Sequence, residues 1–467
     1  MSYAALNKGG GKNLNVDKIQ FHLLDGSGRP TGVFDFRVFE YIKNNYPIFI
    51  CGYPYLYSHG VFDPDYKGTK IKKIIRDCLF DQFKKSRTIN QIYNLILDAD
   101  ELQKDISEIN QYPKSWINFQ DCMLDAKCMK EIAHDHKFLS INQLPWKWAD
   151  IKNAAKAEEI ERFFDFIFRC SDDRRMLLEY AGLCFTKDTS QQKFLILCGL
   201  GGTGKSLLIL LIEKAVGISN VSNVSLQELS RRFSTSLLVG KTLNSCADLS
   251  VEALEDTATM KKLLGEDSIF GERKGQDGFM FKNYSKMLFS TNTLPLITSE
   301  RTNGFFRRLL ILKMDRQPEK PDSDLAEKLE KELPYFIQLA IKALHEMYQR
   351  GTITESANSR QAVAQMRKDS DVVESWLNDN CTVSTDLKAE RTLAFNDFKS
   401  YCENEERVAL TRNGFFKALR TKNFAEARGK TERYFMGFSV GKVTANDSKS
   451  DDFMTVSEEE LAALPFQ

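Results

Sequence analysis

The 467-residue sequence predicts an α/β fold in which helices cover a parallel β-sheet. The first observation is the apolar run 194–198, which has the length of a buried strand and is followed by a glycine-rich turn and a helical pattern from about Lys205. The second is that β-rich segments recur at 241–246, 285–290 and 309–313. Strands that alternate with helices are typical of a parallel sheet, because each parallel connection needs a crossover.

The region before this unit combines strands and helices. Aromatic alternation at 47–57 predicts strands, whereas a helical pattern covers about 71–97. A stronger helical stretch at 152–186 has apolar residues at spacings of three and four and leads into the sheet. Those apolar positions are Ile160, Phe163, Phe164 and Ile167.

Beyond the last candidate strand, the charge distribution becomes uneven. The whole chain has 65 Lys and Arg against 64 Asp and Glu, a net charge of +1 that gives no sign of a polybasic, histone-like protein. Residues 407–442 nevertheless hold nine Lys or Arg against two Glu, and 447–467 hold six acidic residues and one Lys. The sequence therefore predicts a basic C-terminal module and an acidic, disordered tail.

Hydropathy and cysteine usage indicate the compartment. The longest aliphatic run, 207–212, is far too short for a bilayer, and the first residues lack an apolar leader. The ten cysteines are scattered, which favours free thiols over a zinc site or a disulfide framework. We expect a soluble, cytoplasmic protein without a membrane partner.

Residues 199–206, Gly-Leu-Gly-Gly-Thr-Gly-Lys-Ser, match the phosphate-binding pattern G-x-x-x-x-G-K-[ST]. The glycines let backbone N–H groups face a phosphate, Lys205 reaches the β and γ oxygens, and the Ser206 hydroxyl ligates Mg²⁺ at the positive end of the helix. We therefore expect ATP and Mg²⁺ as cofactors. The residues assigned to ATP binding are Gly199, Gly201, Gly202, Thr203, Gly204, Lys205, Ser206 and Leu207.

A dinucleotide site is the alternative, because Gly199, Gly201 and Gly204 also satisfy G-x-G-x-x-G. That site needs an acidic residue about 20 positions further on, and 219–225 contains none. The Lys205-Ser206 pair is what a triphosphate site requires, so the triphosphate reading is favoured.

Four downstream residues carry further candidate chemistry. Asp248 follows the strand segment 241–246, where a Walker B carboxylate would support Mg²⁺, although an acid after a strand is often a plain turn residue. Asn292 ends another strand and could polarise the attacking water. Arg307 and Arg308 precede the strand 309–313 and suit the stabilisation of transition-state charge.

In this order the motifs resemble the superfamily 3 helicases, in particular the branch with poxvirus and phage-satellite primase-helicases and the replication proteins of phages, plasmids and integrated islands. The resemblance covers about 116–313 well and the C-terminal region more loosely. Besides the glycine motif and the two arginines, it rests on 117–125, 139–145, 243–249, 262–267, 272–274 and 291–295.

The resemblance implies an AAA+ P-loop motor that forms a ring, usually a homohexamer, with ATP held between subunits. By position, Lys205 and Ser206 bind phosphates and Mg²⁺, Asp248 supports Mg²⁺ and water, and Asn292 is the polar sensor. Arg308 is the preferred trans-acting finger, with Arg307 second. Many relatives have two adjacent Walker B acids, but Ala247 precedes Asp248 here, which leaves the water-activating base open; the substitutes are Glu252 and Glu255.

The same resemblance divides the chain into six parts. An α+β scaffold or collar precedes a helical domain, the motor, a helical lid or linker, a winged-helix domain and the acidic tail. Their predicted boundaries are 1–115, 116–190, 191–315, 316–370, 371–445 and 446–467.

Two regions are expected to bind DNA. A hairpin at 268–282 would project into the ring channel and grip single strands through Arg273 and Lys274, the alternative being a plain surface hairpin. Segments 393–402, 411–419 and 433–438 resemble a helix, a helix and a strand of a winged helix that binds duplex, the alternative being a solvated basic face. Its predicted contacts are Arg412, Lys417, Arg420, Lys430 and Arg433.

The sequence therefore predicts an ATP-dependent DNA helicase that moves 3′–5′ on single strands and replicates a phage or other mobile element. An origin-binding initiator whose ATP site controls assembly is the alternative, and a P-loop kinase would not need the paired arginines. Residues 1–115 hold no convincing acidic polymerase motif, which argues against a primase. The acidic tail ends in Leu-Pro-Phe-Gln and resembles the acidic tails ending in Pro-Phe of bacterial single-strand-binding proteins, which recruit replication partners, although Gln467 follows the Phe here. The resemblance implies host replication proteins as partners.

Overall fold

The computed structural model describes residues 17–247, 249, 258–275, 277–295, 297, 303–405, 407, 409–429 and 432–441. Asp248, Glu252, Glu255, Lys430 and the predicted tail at 446–467 lie outside the described residues. All ten cysteines fall within the described ranges as free thiols, as expected from their spacing. Within those ranges, no helix has both the length and the apolar composition that a bilayer crossing demands.

The N-terminal lobe packs three helices against short antiparallel strands around one apolar core that includes Phe21, Ile42 and Ile92. The single helical pattern predicted at 71–97 is two helices, separated by a 3₁₀ turn at Asp81–Phe83. The elements are β1 (His22–Leu24), β2 (Pro30–Val33), α1 (Asp35–Asn45), β3 (Ile48–Cys51), β4 (Tyr53–Ser58), β5 (Val61–Pro64), α2 (Thr69–Cys78) and α3 (Ser86–Leu97).

A three-stranded antiparallel sheet and three helices follow. The apolar positions predicted from the helical spacing, Ile160 to Ile167, are all buried on one helix face. The elements are β6 (Trp116–Asn118), β7 (Met123–Asp125), β8 (Lys130–Ile132), α4 (Trp148–Lys152), α5 (Glu158–Ile167) and α6 (Ser171–Cys184).

The centre of the molecule is the predicted parallel sheet, with five strands. Two predicted strands, 194–198 and 309–313, have the observed bounds, and the other two differ by one or two residues. The elements are β9 (Phe194–Cys198), α7 (Lys205–Val216), β10 (Val221–Ser222), β11 (Leu243–Cys246), α8 (Ala258–Leu264), β12 (Ser268–Gly271), β13 (Phe279–Lys282), β14 (Lys286–Thr291), α9 (Asn303–Phe306) and β15 (Leu309–Lys313).

The strand order in this sheet is β10-β11-β14-β9-β15, and every neighbouring pair is parallel. All six residues of β14 are buried, because apolar cores cover both faces of the sheet. Leu195 and Leu197 face one core, whereas Phe194 and Ile196 face the other. The chain is therefore a mixed α/β protein with the carboxyl ends of β9, β11 and β14 on one edge.

Three helices return to this sheet, so the predicted lid or linker segment shares a core with the helices before the motor. An added Cβ on Gly182 of α6 would lie 2.6 Å from the Ala340 carbonyl oxygen, which shows how closely the two helices approach. Ser359 accepts the Ile311 N–H at 2.9 Å and so covers the outer edge of β15. The elements are α10 (Leu325–Lys331), α11 (Leu333–Arg350) and α12 (Ala357–Asp369).

The C-terminal domain has its own core around Trp376, which is fully buried and donates its indole N–H to Asp397 at 2.6 Å. Its three strands pair antiparallel in the order β16-β18-β17. The sequence analysis missed α13, β16 and β17. The elements are α13 (Val372–Asn380), β16 (Cys381–Glu390), α14 (Arg391–Asn404), α15 (Arg412–Thr421), β17 (Glu426–Arg428) and β18 (Arg433–Val440).

The first prediction concerns the fully buried Glu179 of α6, whose carboxylate accepts hydrogen bonds from Arg350 and from the backbone and hydroxyl of Thr354. Glu179→Gln removes the charge that these donors stabilise. We expect the free energy of unfolding to fall by about 2 kcal/mol. Denaturant titration followed by circular dichroism measures it.

Glu346→Gln is the matched control, because Glu346 is exposed on α11. Its effect should stay within about 0.5 kcal/mol. Equal effects of the two substitutions would contradict a structural role for the buried carboxylate.

Candidate functional site

The glycine motif forms the turn between β9 and α7, as predicted. Gly202 and Gly204 have φ of 76° and 93°, in the region that favours glycine. Gly199 is required for a different reason: an added Cβ would lie 1.7 Å from the carbonyl oxygen of Met314, which follows the neighbouring strand β15. The motif therefore fixes the path of the turn as well as leaving room for a ligand.

Two polar side chains, one within the turn and one outside it, donate hydrogen bonds to carbonyl groups of the turn. The Thr203 hydroxyl donates to the Leu200 carbonyl at 3.0 Å, and the Gln317 amide donates to the Gly201 carbonyl at 2.7 Å. Nearby, the Arg169 guanidinium hydrogen-bonds to Asp315 and holds the pKa of that carboxyl below its usual range. The turn is thus preformed and anchored to the segment that follows β15.

Lys205 lies at the centre of the site and is 6% exposed. Its Nζ donates to the carbonyl oxygens of Gly199 at 2.5 Å and Leu200 at 2.8 Å, and to Asn292 Oδ1 at 3.0 Å. Asn292 directly follows β14, the strand beside β9. The structure therefore brings the predicted sensor into hydrogen-bond contact with the predicted phosphate-binding lysine.

The N-terminus of α7 fits a phosphate group. Its N-cap is Gly204, and no described side chain caps the first backbone N–H groups. Ser206 is exposed on the first turn, beside Lys205. Uncapped N–H groups, a helix dipole and an ammonium group at one place are the features that bind anionic phosphates, and the serine hydroxyl suits Mg²⁺.

The predicted Walker B carboxylate cannot be placed, because Asp248, Glu252 and Glu255 lie outside the described residues. The described neighbours do reach the same edge of the sheet. Cys246, the last residue of β11, pairs with Phe289, and the Leu249 N–H donates to the Ser290 carbonyl at 2.8 Å. In the part of the chain that the structure describes, no cluster of His, Cys, Asp or Glu has metal-site geometry.

Arg307 and Arg308 lie at the opposite edge of the sheet. Leu309, the first residue of β15, pairs with Phe194, the first residue of β9, whereas the glycine turn follows Cys198, the last residue of β9. A five-residue strand separates its two ends by about 13 Å. The two arginines are therefore remote from the nucleotide site of their own chain.

The two guanidinium groups differ in exposure. Arg308 is partly buried and donates to the Gly304 carbonyl and to Gln192 Oε1, the latter at 3.2 Å. Arg307 is exposed, and its backbone carbonyl accepts from Lys193 Nζ at 2.5 Å. The arginine that was ranked second from the sequence is thus the one that faces solvent.

The predicted hairpin is formed by β12 and β13, which pair antiparallel. The guanidinium carbon of Arg273 lies 5.1 Å from the ring centroid of Phe279 and 5.8 Å from that of Tyr53 in the N-terminal lobe. Lys274 is exposed. Of the two predicted DNA contacts, Arg273 is engaged with protein and Lys274 is accessible.

The C-terminal domain exposes Arg412, Lys417, Arg420 and Arg433, and Lys430 lies outside the described residues. The sequence analysis missed Arg391, which lies 4.0 Å from the ring centroid of Phe416. Arg391 precedes the predicted helix 393–402 and stands outside the basic run, so no sequence signal marked it. The fold nevertheless places it beside three of the predicted contacts.

Comparison with known proteins gives two family matches, each over less than half of the chain. A model described as "D5 N terminal like" matches residues 62–169. A model described as "Family of unknown function (DUF5906)" matches residues 197–308, from the end of β9 through Arg308. These matches span part of the N-terminal lobe and nearly all of the candidate nucleotide site.

Three solved structures of the NrS-1 C-terminal region are also similar. The A-form apo structure has 10% identity and a TM-score of 0.46, covering 86% of this chain and 98% of that one. The A-form apo structure of residues 305–718 of NrS-1 has 13% identity and a TM-score of 0.46, with 86% and 99% covered. A further apo structure of that region has 12% identity and a TM-score of 0.47, with 87% and 99% covered.

The second prediction tests the close approach at the glycine turn. Gly199→Ala would push a Cβ into the Met314 carbonyl, so we expect the free energy of unfolding to fall by about 1–3 kcal/mol. Gly201→Ala is the control, because no atom lies within 4 Å of its added Cβ. Urea titration of both variants compares them, and a stable Gly199→Ala protein would show that the strand end can move away.

Proposed function

We propose that this chain is an ATP-dependent DNA helicase of superfamily 3, an AAA+ motor that assembles as a ring and acts as a phage-type replication protein. The observation that carries the proposal is the contact of Lys205 with Asn292 at one edge of a parallel sheet, with exposed Arg307 at the other edge. The match to the D5 N-terminal-like model and the resemblance to primase-helicases support it.

ATP hydrolysis at this site would depend on electrostatics and positioning. Lys205 and the N–H groups of the glycine turn hold the β and γ phosphates, and Ser206 holds Mg²⁺, which neutralises charge on the phosphates. When the Lys205 ammonium group binds phosphate instead of Asn292 Oδ1, the Asn292 amide becomes available to orient water. Asp248 keeps its proposed role in supporting Mg²⁺.

The positions of the arginines favour a site shared between subunits. A guanidinium about one strand length from its own glycine turn can reach a γ-phosphate only in a neighbouring copy. Arg307 is better placed for this than Arg308, which is already hydrogen-bonded within its own chain. A cyclic arrangement satisfies every such site, and a hexamer is the proposed form.

The DNA contacts follow from the exposed cations. Lys274 on the β12–β13 hairpin is proposed to contact the translocated single strand, in the 3′–5′ direction. The C-terminal order helix, strand, helix, helix, strand, strand, with a sheet order of β16-β18-β17, supports the winged-helix assignment. Its basic surface would hold duplex DNA.

An origin-binding initiator is the second candidate, favoured by that basic C-terminal surface. In it the nucleotide site would control assembly alone. The two proposals differ in strand displacement: a helicase separates strands only with hydrolysable ATP, whereas an initiator of this kind needs only ATP binding.

The third prediction is trans-complementation at the shared site. Lys205→Ala and Arg307→Ala should each lower DNA-stimulated ATP hydrolysis on the order of 10²- to 10³-fold, because each removes charge stabilisation from the transition state. When the two variants are mixed, a Lys205→Ala subunit supplies Arg307 to an intact glycine turn next to it. Phosphate release by the mixture should exceed the sum of the separate activities.

Arg360→Ala is the control, because Arg360 is also exposed and donates to the carbonyl group of Glu355. Glu355 in turn pairs with Lys193, which contacts the Arg307 backbone, so Arg360 lies at the same end of the sheet. This variant should keep the wild-type rate. A mixture that remains inactive, or an Arg307→Ala protein with normal turnover, would show that Arg307 is no shared finger.

The fourth prediction separates the two hairpin cations. Lys274→Ala should weaken single-stranded DNA binding by roughly three- to tenfold and reduce its salt dependence, because one phosphate contact is lost. Arg273→Ala should instead lower the free energy of unfolding by about 1 kcal/mol through loss of its aromatic contacts. Fluorescence anisotropy and urea titration measure these effects, and exchanged outcomes would reverse the assignments.

A further inference from the structure

Arginines converge at one corner of the C-terminal domain, where α14, α15 and the β17–β18 hairpin meet. Arg391 begins α14, and only 15% of its side chain is exposed. Its guanidinium lies 4.0 Å from the ring centroid of Phe416 and 5.8 Å from that of Phe435. Packing on two aromatic rings fixes the plane of this guanidinium, as a rigid anion-binding group requires.

The carboxylate of Glu426 pairs with two of these arginines. Among the described residues, Glu426 is the acidic side chain that lies within 4 Å of Arg391, with Oε2 3.4 Å from Nη1. Its other oxygen accepts from Arg420 Nε at 2.8 Å. Glu426 therefore bridges two guanidinium groups, one on α14 and one on α15.

This single carboxylate does not balance the corner. Burial lowers the pKa of the Arg391 guanidinium; Glu426 opposes that effect, and repulsion by Arg433, Arg420 and Arg412 adds to it. Arg412 lies 5.7 Å from the Phe416 ring and donates to the Thr392 hydroxyl at 3.0 Å. Three further guanidinium groups thus lie near that of Arg391, and Glu426 is the carboxylate that bonds two of the four.

The adjoining hairpin adds a further cation. Arg428 of β17 pairs directly with Arg433 of β18, and both are exposed. Like charges opposite each other destabilise an antiparallel pair. Such a pair is relieved when an anion binds between or beside the two side chains.

We propose that this corner binds a backbone phosphate of duplex DNA, with Arg391 as its fixed anchor, and that the Glu426 carboxylate occupies the phosphate position until DNA displaces it. The inference rests on the proposed function in one respect: the C-terminal domain must bind duplex DNA. A carboxylate and a phosphodiester present similar oxygen pairs to a guanidinium, so they compete for the same donors.

Duplex DNA fits this site better than free phosphate. The cations are spread over two helices and a hairpin, so a single small anion can neutralise only some of them. A polyanion contacts several at once and gains the release of its condensed counterions. Glu426 then acts as an internal competitor that keeps non-productive binding weak.

The experiment measures duplex affinity of the full chain by fluorescence anisotropy over a series of KCl concentrations. Glu426→Gln removes the competitor and should tighten binding about three- to tenfold, a gain that misfolding cannot produce. Arg391→Met should weaken binding about tenfold and reduce the slope of log K against log salt by about one. Lys399→Met is the control, because Lys399 lies on the same helix, 60% exposed and paired with Glu403.

Wild-type affinity and slope in both variants would overturn the inference, as would a wild-type chain that does not bind duplex. Inorganic phosphate at matched ionic strength is the second probe. Phosphate binding that Arg391→Met abolishes, with duplex affinity unchanged, would assign the corner to the free ion and also overturn it. DNA-stimulated ATP hydrolysis by the wild-type chain is measured in parallel; its absence contradicts the helicase proposal, whereas the salt slopes decide this one.

Discussion

The pairing of β9 with β14 on one side and β15 on the other determines where Lys205, Asn292 and the two arginines lie. Because all three strands are parallel, groups that follow β9 and β14 meet at one edge, and groups that precede β15 lie at the other. The contact between Lys205 and Asn292 follows directly from this pairing. So does the distance of Arg307 from its own glycine turn.

Local sequence was enough to predict the parts of the fold that local interactions determine. The bounds of β9 and β15 are confirmed because both are short apolar runs with polar or glycine residues at each end. By contrast, β16 contains Thr, Ser, Asp and Lys with little apolar alternation, so only its pairing with β18 identifies it as a strand. The shared core of α6 and α11 likewise depends on contacts between distant segments.

The candidate site shows the same division. The glycine turn, its lysine and the asparagine after β14 were predictable, since each residue type has its own chemistry at a fixed position. The directions of the arginine side chains were not predictable, because each depends on a partner that is distant in sequence. Arg308 donates to Gln192, and Arg273 contacts the ring of Tyr53. Arg391 was missed for a related reason, because its two aromatic partners come from other elements of the domain. The chain as a whole is nearly neutral, but the fold brings Arg391 close to Arg412, Arg420 and Arg433 and so concentrates positive charge on one surface.

Contacts within the chain indicate where motion would occur in the proposed ring. β14 joins Asn292 at one end to the β12–β13 hairpin at the other through the short connection 283–285, and Asn283 fixes that connection by donating to the Leu263 carbonyl at 2.8 Å. Buried hydrogen bonds also tie the region before the motor to the sheet. They link Asn142 to Asn220 at 2.9 Å, Tyr284 to Asn142 at 3.0 Å and Asn110 to Tyr284 at 2.7 Å.

Breaking such a network would leave several buried amide groups unpaired, each costing about 1–3 kcal/mol. We therefore expect the hairpin, the sheet and the segment with Asn110 and Asn142 to move as one unit. In the proposed ring, hydrolysis at a shared site would change the contact of Arg307 with the neighbouring nucleotide, and we expect this unit to transmit that change to Lys274. For the proposed ring we therefore expect rotation of whole subunits against each other rather than bending within one chain.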